Sequence, residues 1–478
     1  MSLKNERFIV IGLIGLQLAL CIPVLNSFPI GLDEPFSIFY AQQDFSEMWV
    51  MFSNENNPPL HFMLLHYWME LFGNSPWSVR SLSLLFSVLA IPVIWTLGRK
   101  ILTTPYAVLF VLFFILGSFN HYHAVEARVY SLFVLLFALV FLELYKMLFD
   151  DRKSFRKLAF WNALLLYSHY LGGFVIVTEL LILLIFFRKM TLRKWGSVGI
   201  SLVISGILYI PGIQLFFSRI EHFSGKGTWV PEAHWTELYG NIVRFCNSKW
   251  AVVALGAAGL ICAVVALKKN RAEIFTKIKS SKVLFVTLAF AIPYLGLFVM
   301  SKVFQPVFLD RYLLFTTVPL FLGMALLLEI VSDKITKGWL ALAFVLPFAI
   351  TSQYIPANNR ADDELAAYVR KIKTPGTGIF LCPEFYDLTF MYYYDRSIFE
   401  DYKNFDIRQA DERISSLCVP CSFNSDTIIW VDAGSEFIYS DRKGVHESRL
   451  KSPGLMNDST FAGNYHVTQI AYNKVNED

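Results

Sequence analysis

The chain has 478 residues, of which 55% are hydrophobic, 16% aromatic and only 17% charged. This balance is too apolar for a soluble globular protein and predicts a polytopic membrane protein. The net charge of +4 carries little weight by itself, because the basic residues are clustered and their placement matters more than their sum. Nothing in their pattern resembles a nucleic-acid-binding surface, so we predict no nucleic acid partner.

The first apolar segment runs from Phe8 to Phe28 and contains no charged residue. It has about the ~20 residues that a helix needs to cross a hydrocarbon layer ~30 Å thick. Lys4 and Arg7 precede it, as in a secretory signal. The segment is long for the apolar core of a signal, however, and no small-residue cleavage site precedes Asp33. We predict an uncleaved transmembrane helix with its N-terminus in the cytoplasm.

Further apolar segments bring the predicted number of spans to about eleven. They lie at 79–98, 105–120, 129–148, 158–170, 171–187, 196–217, 250–267, 283–301, 312–331 and 338–353. Basic clusters such as Arg99-Lys100 and Arg188-Lys189 follow alternate spans, which places those loops in the cytoplasm. The first loop, 29–78, and the tail after Tyr354 are then extracytoplasmic. We expect a multi-pass protein of the cell (inner) membrane.

The first outer loop is expected to contain structure of its own. The stretches Phe36 to Trp49 and Leu60 to Phe72 mix aromatic, Met and charged residues. This mixture is typical of helices that lie in the membrane interface. We therefore predict a structured loop at the membrane surface, within a transmembrane module that covers residues 1–353.

The tail after residue 353 turns polar and predicts a small folded domain at 354–478. A helix should begin at Asp362, where acidic residues come first and basic residues last. Strands are predicted at 378–382 and 427–431, with a helix at 386–394 between them. The fold class is therefore a polytopic all-α membrane protein with a small extracytoplasmic α/β domain at its C-terminus.

Two adjacent carboxylates, Asp33 and Glu34, follow the first predicted span within a turn or two of the interface. Ionisable groups at that depth are costly to maintain and indicate a functional site. A structural alternative is a helix N-terminus, in which Asp33 caps, Glu34 occupies the first turn and Pro35 needs no N–H. The two interpretations are compatible.

The short second outer loop, 121–128, is rich in side chains that can carry chemistry. With its flanks it contains His121, Tyr122, His123, Glu126, Arg128 and Tyr130. If it continues the following helix, Tyr122, Glu126 and Tyr130 share one face, with His123 beside them. A carboxylate and an imidazole would then face the same cavity as Asp33. The alternative is a capped helix end, with Glu126 near the N-terminus and Arg128 reaching for the interface.

Arg311 lies at the outer end of another predicted span. Together with Arg128 it offers two fixed cations at one membrane depth. Two guanidinium groups suit a lipid-linked phosphate or pyrophosphate, because each can bind two oxygens and stays charged. A contact with bilayer head groups is the simpler alternative, and Asp310 could pair with its neighbour Arg311.

Five groups of residues form a set that is similar to a known family. They are Asp33-Glu34; Asn57-Pro58-Pro59-Leu60 with Leu71-Phe72-Gly73 and Arg80; Glu126-Ala127-Arg128-Val129-Tyr130; Ser168-His169-Tyr170; and Arg311-Tyr312-Leu313-Leu314. In order and spacing, over about the first 350 residues, the set resembles GT-C glycosyltransferases of the protein O-mannosyltransferase and lipid A aminoarabinose-transferase (PMT/ArnT-like) group. Each motif is short, so the specificity comes from the set.

The resemblance implies a GT-C fold, a polyprenyl-phosphate sugar donor and an extracytoplasmic active site. It places the catalytic carboxylate on Asp33, with Glu34 beside it, and the second acidic residue of the family on Glu126. The acceptor would be a glycan, a lipid or a protein, and membrane lipids would surround the protein. We expect the substrate to be bound by Glu34, His123, Arg128, Tyr130, His169, Arg311 and Tyr312.

A metal site is left open by the sequence. Many relatives place His or a charged residue before the Pro-Pro pair, and some bind a metal through this loop, whereas this chain has Asn57. A divalent metal therefore remains one option rather than a requirement, and no other cofactor is expected. The candidate ligands His61, His169, His222 and His234 lack the spacing of a metal site. Cys418 and Cys421 form a lone C-x-x-C, which favours a structural disulfide or free thiols over zinc.

The expected chemistry also follows from the residue types. A polyprenyl phosphate is a good leaving group, so transfer needs a base for the acceptor hydroxyl and cations for the departing phosphate. Asp33 would be the base, and Arg128 and Arg311 would stabilise the developing charge. Direct displacement predicts inversion at the anomeric carbon.

Two other classes of protein compete with a glycosyltransferase. A transporter or flippase for a lipid-linked or small substrate should show internal repeats and charged or broken helices near the bilayer midplane. Here the acids and arginines lie at the outer ends of predicted helices, and no repeat is detected, which favours the enzyme. A cell-envelope scaffold whose outer domain binds glycans would not need Asp33.

Overall fold

The computed structural model describes residues 3–31, 33–54, 57–150, 155–226, 230–331, 345–355, 360–382, 386–400, 427–433, 454–462 and 465–471, and within these leaves out the side chains at 219–226 and at most positions of 261–273. Contacts divide the chain into two compact units, each described by itself below. Unit 1 comprises Met1–Leu25, Trp49–Leu64 and Arg80–Pro356. Unit 2 comprises Asn26–Met48, Leu65–Val79 and Ala357–Asp478.

The described part of the first 331 residues is almost entirely helical. Its helices are α1 (Leu3–Cys21), α2 (Glu34–Ala41), α3 (Phe45–Asn54), α4 (Pro59–Phe72), α5 (Pro76–Ile101), α6 (Thr104–Leu116), α7 (Ser118–Ala124), α8 (Tyr130–Phe149), α9 (Phe155–Ser168), α10 (Gly172–Ile185), α11 (Leu192–Leu208), α12 (Ile210–Lys226), α13 (Trp235–Phe245), α14 (Lys249–Ile278), α15 (Ser281–Val303) and α16 (Thr317–Val331). Short 3₁₀ segments lie at Ile22–Val24, Phe187–Lys189 and Asp310–Thr316. Residues 345–351 are helical as well. The helices predicted in the first outer loop are confirmed as α2, α3 and α4.

Five helical segments in the described residues are long and apolar enough to cross a membrane: Lys4–Val24, Pro76–Ile101, Tyr130–Phe149, Ser281–Val303 and Asp310–Val331. Two bent helix pairs, α6 with α7 and α11 with the first half of α12, raise the number to seven. The chain is therefore a membrane protein of several spans.

The predicted number of about eleven spans exceeds this count for identifiable reasons. The segments predicted at 158–170 and 171–187 correspond to α9 and α10, which have 14 residues each. At 1.5 Å per residue such a helix is about 21 Å long, shorter than the ~30 Å hydrocarbon layer. The apolar part of α14, Lys249–Leu260, is also short. The segment predicted at 338–353 lies partly outside the described residues.

Helix α8 lies at the centre of unit 1. It is apolar on all sides, and nearly every side chain on it is buried, as expected of a helix surrounded by others. It packs against α9 and the 3₁₀ segment Asp310–Thr316. In this core the ring of Phe137 lies 4.3 Å from that of Phe141 and 4.8 Å from that of Phe315, tilted against both. Helix α16 packs against α6, α14 and α15.

Unit 2 contains a four-stranded sheet and short helices. Its elements after residue 357 are α17 (Asp362–Ile372), β1 (Thr377–Cys382), α18 (Asp387–Tyr394), α19 (Ser397–Glu400), β2 (Thr427–Ala433), β3 (Leu455–Phe461) and β4 (Tyr465–Ala471). The strand order is β1-β2-β4-β3. β1 and β2 are parallel, and β4 is antiparallel to both β2 and β3. Helix α18 packs against α17 and against α2 of the same unit.

The predicted α/β domain is thus confirmed in type but was predicted incompletely. The helix at Asp362, the strands at 378–382 and 427–431 and the helix at 386–394 all match observed elements. Strands β3 and β4 were not predicted. Part of their signal was available, because Gly463-Asn464 is a typical turn dipeptide and 465–468 alternates apolar and polar residues.

Candidate functional site

The segment 121–130 does not continue into the following helix, so the expectation of a single helix face was wrong. Helix α7 ends at Ala124, and residues 125–129 form a bend before α8 begins at Tyr130. The backbone N–H of Arg128 donates to the carbonyl of Glu126 at 2.7 Å. The Ser83 hydroxyl donates to the carbonyl of Arg128 at 3.1 Å. Because the bend has its own hydrogen bonds, the chain can leave the helix without exposing unpaired backbone groups.

The bend brings together two predicted site residues, His123 and Glu126. The Nδ1 of His123 lies 2.6 Å from the Oε2 of Glu126. Both residues are only 3% exposed. The rings of Phe119, Tyr130 and Tyr122 surround the imidazole at centroid distances of 4.7, 4.8 and 5.1 Å. Glu126 is therefore a buried carboxylate engaged with an imidazole.

The two predicted cations are both close to one imidazole. The charges of Arg128 and Arg311 both act on His169, which follows α9. The ring of His169 lies 5.1 Å from that of Tyr312, and its Nδ1 accepts a hydrogen bond from the N–H of Leu171 at 3.1 Å. Unit 1 thus places Arg128, His169, Arg311 and Tyr312 in one cluster. The two guanidinium groups give this cluster a positive charge, which suits the binding of an anion.

Asn57, which precedes the Pro-Pro pair, contacts the same cluster. Its Oδ1 lies 3.4 Å from Nη2 of Arg128, which is itself 8% exposed. An amide oxygen can orient a guanidinium group without neutralising its charge. Asn57 therefore orients the guanidinium group of Arg128 and leaves its charge intact.

His61 joins this cluster, although the sequence marked it only as a candidate metal ligand. It lies in α4, which is not one of the candidate spans, and is 2% exposed. Burial, followed by the charge of Arg128, lowers the pKa of His61 from 6.5 to about 3. The imidazole is therefore neutral near pH 7. Among the described residues, no hydrogen-bond partner lies near its Nε2.

Asp310 also pairs with a residue that the sequence did not indicate. Arg244 of α13 forms an ion pair with Asp310. The other carboxylate oxygen of Asp310 accepts the backbone N–H of Arg311 at 2.6 Å. Asp310 thereby fixes the backbone at the start of the 3₁₀ segment that carries Arg311 and Tyr312.

Asp33 and Glu34 belong to unit 2, whereas the other predicted site residues belong to unit 1. Asp33 occupies the N-cap position of α2, and Pro35 lies in the first turn, as the structural alternative expected. The Asp33 side chain makes no capping hydrogen bond, however. The Glu34 carboxylate lies 3.4 Å from the N–H of Gly31 and is 3% exposed. Asp33 is half-buried.

The stretch that contains the acidic pair is tightly packed within unit 2. The hydroxyl of Tyr393 donates to the carbonyl of Ile30. A Cβ on Gly31 would lie 3.2 Å from Oδ2 of Asp362 and 3.3 Å from Nη1 of Arg360. The Asp362 carboxylate accepts a hydrogen bond from the Tyr386 hydroxyl at 2.5 Å. Burial raises the pKa of Asp362, although the hydrogen bond from Tyr386 acts in the opposite direction.

Among the described residues, no three or more His, Cys, Asp or Glu side chains are placed to hold a metal ion. The motif at Cys418 and Cys421 and the side chain of His222 lie outside that part of the chain. Nothing in the described geometry favours a particular metal.

Residues 56–211 match the family model described as dolichyl-phosphate-mannose-protein mannosyltransferase. No curated protein matches the chain in a sequence search. Among solved structures, ArnT from Cupriavidus metallidurans in the apo state is 13% identical with a TM-score of 0.58, covering 96% of this chain and 97% of that one. The same protein bound to undecaprenyl phosphate is 12% identical with a TM-score of 0.58, covering 98% of each chain.

A third structure is the apo oligosaccharyltransferase of Archaeoglobus fulgidus. It is 12% identical with a TM-score of 0.54, and the match covers 89% of this chain and 69% of that one. At such identities the structural matches show the fold. The expected GT-C fold is therefore confirmed over nearly the whole chain, and the family match supports the expected PMT/ArnT-like relationship.

Proposed function

We propose that this chain, a protein of PMT/ArnT-like GT-C architecture, is an integral-membrane glycosyltransferase that transfers a sugar from a polyprenyl-phosphate donor to an extracytoplasmic acceptor. Its neighbours in family and fold are glycosyltransferases. The observation that carries the proposal is the cluster in unit 1 that contains Arg128, Arg311 and the neutral imidazoles of His61 and His169. The fold is similar to that of ArnT over 96% of this chain.

The cluster suits a phosphate that carries a lipid. Two guanidinium groups supply charge and directed donors for phosphate oxygens. Asn57 and the backbone contacts of Asp310 orient these two arginines. A structural relative was crystallised with undecaprenyl phosphate, which supports the same class of carrier here. Neither a nucleotide-binding loop nor a second phosphate site is needed for such a donor.

In the proposed reaction, Asp33 removes the proton of the acceptor hydroxyl. The oxygen attacks the anomeric carbon, and the bond from that carbon to the phosphate oxygen breaks with its electron pair on the phosphate. Arg128 and Arg311 stabilise the charge that develops on the leaving polyprenyl phosphate. The products are the glycosylated acceptor, polyprenyl phosphate and protonated Asp33. A single displacement inverts the anomeric carbon.

Other residues have supporting roles in the proposal. Glu34 and Tyr130 are assigned to substrate binding, and Tyr312 packs on His169 in the phosphate cluster. Glu126 was predicted as the second catalytic carboxylate. Its bond to His123 favours action through the imidazole, as developed below.

The site is proposed to face the extracytoplasmic side of the cell (inner) membrane. The charge bias of the loops supports this orientation, because basic clusters follow alternate spans. Acceptors on that side include glycans, lipids and proteins, each of which can present a hydroxyl to Asp33.

The test is sugar transfer in membranes that contain the protein, supplied with a panel of labelled polyprenyl-phosphate sugars. Membranes without the protein are the control. We expect one donor to label a membrane or added acceptor, and NMR of the product to show an inverted anomeric centre. Retention of the anomeric configuration would exclude a single displacement. Uptake or flipping of the lipid with no transfer from any donor would instead favour a transporter.

A further inference from the structure

The buried pair of His123 and Glu126 has a polar atom that the proposed mechanism does not use. The Nδ1 of His123 lies 2.6 Å from Oε2 of Glu126, and a hydrogen bond in which the carboxylate oxygen accepts places the hydrogen on Nδ1. In a neutral imidazole the other nitrogen, Nε2, is then a bare acceptor. Among the described residues, no hydrogen-bond partner reaches this atom.

The neighbouring histidine of the same helix shows what a satisfied imidazole looks like here. The Nδ1 of His121 lies 3.4 Å from Sγ of Cys21, and its Nε2 lies 2.8 Å from the carbonyl of Tyr354. Both histidines are buried, at 1% and 3% exposure. Buried polar atoms are nearly always paired, so the Nε2 of His123, unpaired among the described residues like that of His61, needs an explanation.

The surroundings of His123 hold its ring in place. Its backbone carbonyl accepts the Ser131 hydroxyl at 2.8 Å. Phe119, Tyr122 and Tyr130 pack around the imidazole, and Glu126 fixes its tautomer. A carboxylate that holds the far nitrogen of an imidazole is the general way in which proteins orient the other nitrogen towards a ligand.

We propose that Nε2 of His123 accepts a hydrogen bond from a hydroxyl of the substrate, and that Glu126 is a positioning residue that acts through His123. This inference rests on the proposed function, because that function supplies hydroxyl-bearing substrates. The hydroxyl belongs either to the donor sugar or to the acceptor, and both present the same donor group to Nε2. Glu126 then does not itself touch the reacting atoms.

The test compares variants that separate the two nitrogens of His123. His123→Asn keeps an amide donor near the position of Nδ1 but removes the acceptor at Nε2. His123→Gln places an amide oxygen near the position of Nε2. We expect His123→Asn to lower kcat/KM at least ~10-fold, a typical loss for one hydrogen bond to a substrate, and His123→Gln to recover part of it. Glu126→Gln should fall between the wild type and His123→Asn.

His121→Asn is the matched control, because it truncates a buried histidine whose nitrogens both have protein partners. It should lower the melting temperature without lowering kcat/KM. Donors that lack single sugar hydroxyls identify the ligand. If the bond is to the donor sugar, one deoxy donor should erase the difference between the wild type and His123→Asn. If it is to the acceptor, the difference should persist with every donor and raise the acceptor KM.

Three results would overturn the inference in distinguishable ways. A wild type that transfers sugar, with His123→Asn equally active, would remove the role of His123 and leave the proposed function intact. Equal losses in His123→Asn and His123→Gln, accompanied by equal losses of melting temperature, would show a structural role. A wild type that transfers no sugar would overturn the proposed function and this inference together.

A further measurement does not depend on enzyme activity. ¹⁵N NMR of the histidine-labelled protein, with the His123 signals assigned by comparison with His123→Asn, should show a protonated Nδ1 and a bare Nε2. A protonated Nε2 would rule out the acceptor role even if transfer is observed.

Discussion

Asp33 in unit 2 and Glu126 in unit 1 are both acidic residues from segments predicted to be extracytoplasmic, but their surroundings differ. Asp33 is half-buried at the start of α2, and its side chain does not cap that helix. Glu126 is buried in a bend and bonded to His123. The Asp33 carboxylate thus does not cap its own helix, whereas the Glu126 carboxylate is held by an imidazole. Residue type alone does not separate these roles.

The largest expected effect comes from removing the charge of Asp33. Asp33→Asn keeps the size of the side chain and removes the base, so kcat should fall ~10²–10⁴-fold with little change in donor KM. Steady-state kinetics of the purified variant measures this. Asp44→Asn is the control, because Asp44 is an exposed acid of the same unit whose bonds to Ser46 and Glu47 an amide oxygen can still accept. If both variants were equally active, the assignment of Asp33 would be wrong.

A smaller effect is expected on the cationic side of the site. Arg128→Lys keeps the charge but loses the guanidinium fork, so the donor KM should rise about tenfold while kcat changes less. Titration of the rate against donor concentration separates the two constants. Arg99→Lys is the control, since Arg99 pairs with Glu6 in another part of unit 1. A loss confined to kcat would indicate that Arg128 acts only in the transition state.

The two units should also respond in opposite directions to acid. The pKa of His61 is lowered from 6.5 to about 3, so the unfolded chain binds a proton that the native state refuses. Stability from this group is fully present above pH 6.5 and is lost as the pH falls towards 3. At pH 5 the loss is about 2 kcal/mol. His61→Gln should flatten this dependence in melts between pH 7.5 and 5, and an unchanged slope would contradict the assigned burial.

Asp362 in unit 2 should give the smallest effect, with the opposite sign. Burial raises the pKa of Asp362 above its usual value of 3.8. At pH values just above 3.8, the native state therefore binds a proton more readily than the unfolded chain does. The free energy of unfolding therefore falls as the pH rises through this window. Asp362→Asn retains an oxygen for the Tyr386 hydroxyl and removes the charge. In thermal melts of this variant, the free energy of unfolding should no longer fall as the pH rises through this window. A steeper fall in the variant would mean that the native state favours the ionised carboxylate.

The sequence predicted those features that depend on local composition. Long apolar runs gave the helices of unit 1, and the polar tail gave β1, β2 and the helix at Asp362, because burial and periodicity act over a few residues. The set of short motifs predicted the fold.

Features that depend on distant partners were not predicted. The bend at 125–129 is stabilised by Ser83, more than forty positions away in the chain, so the sequence alone gave a continuous helix face. From the sequence, Arg311 was the obvious partner for Asp310. The ion pair with Arg244 was not predicted, because Arg244 lies on another helix. His61 was considered only as a metal ligand, since its proximity to Arg128 appears only when α4 and the bend are folded together.

The most direct test of the central claim uses the purified protein in lipid nanodiscs with one sugar presented in two forms. The same labelled sugar is supplied on polyprenyl phosphate or on a nucleotide, together with the acceptor found in the membrane assay. The account predicts product, and an equal amount of released polyprenyl phosphate, from the lipid-linked form alone. Product from the nucleotide sugar alone would contradict a phosphate site built on Arg128 and Arg311.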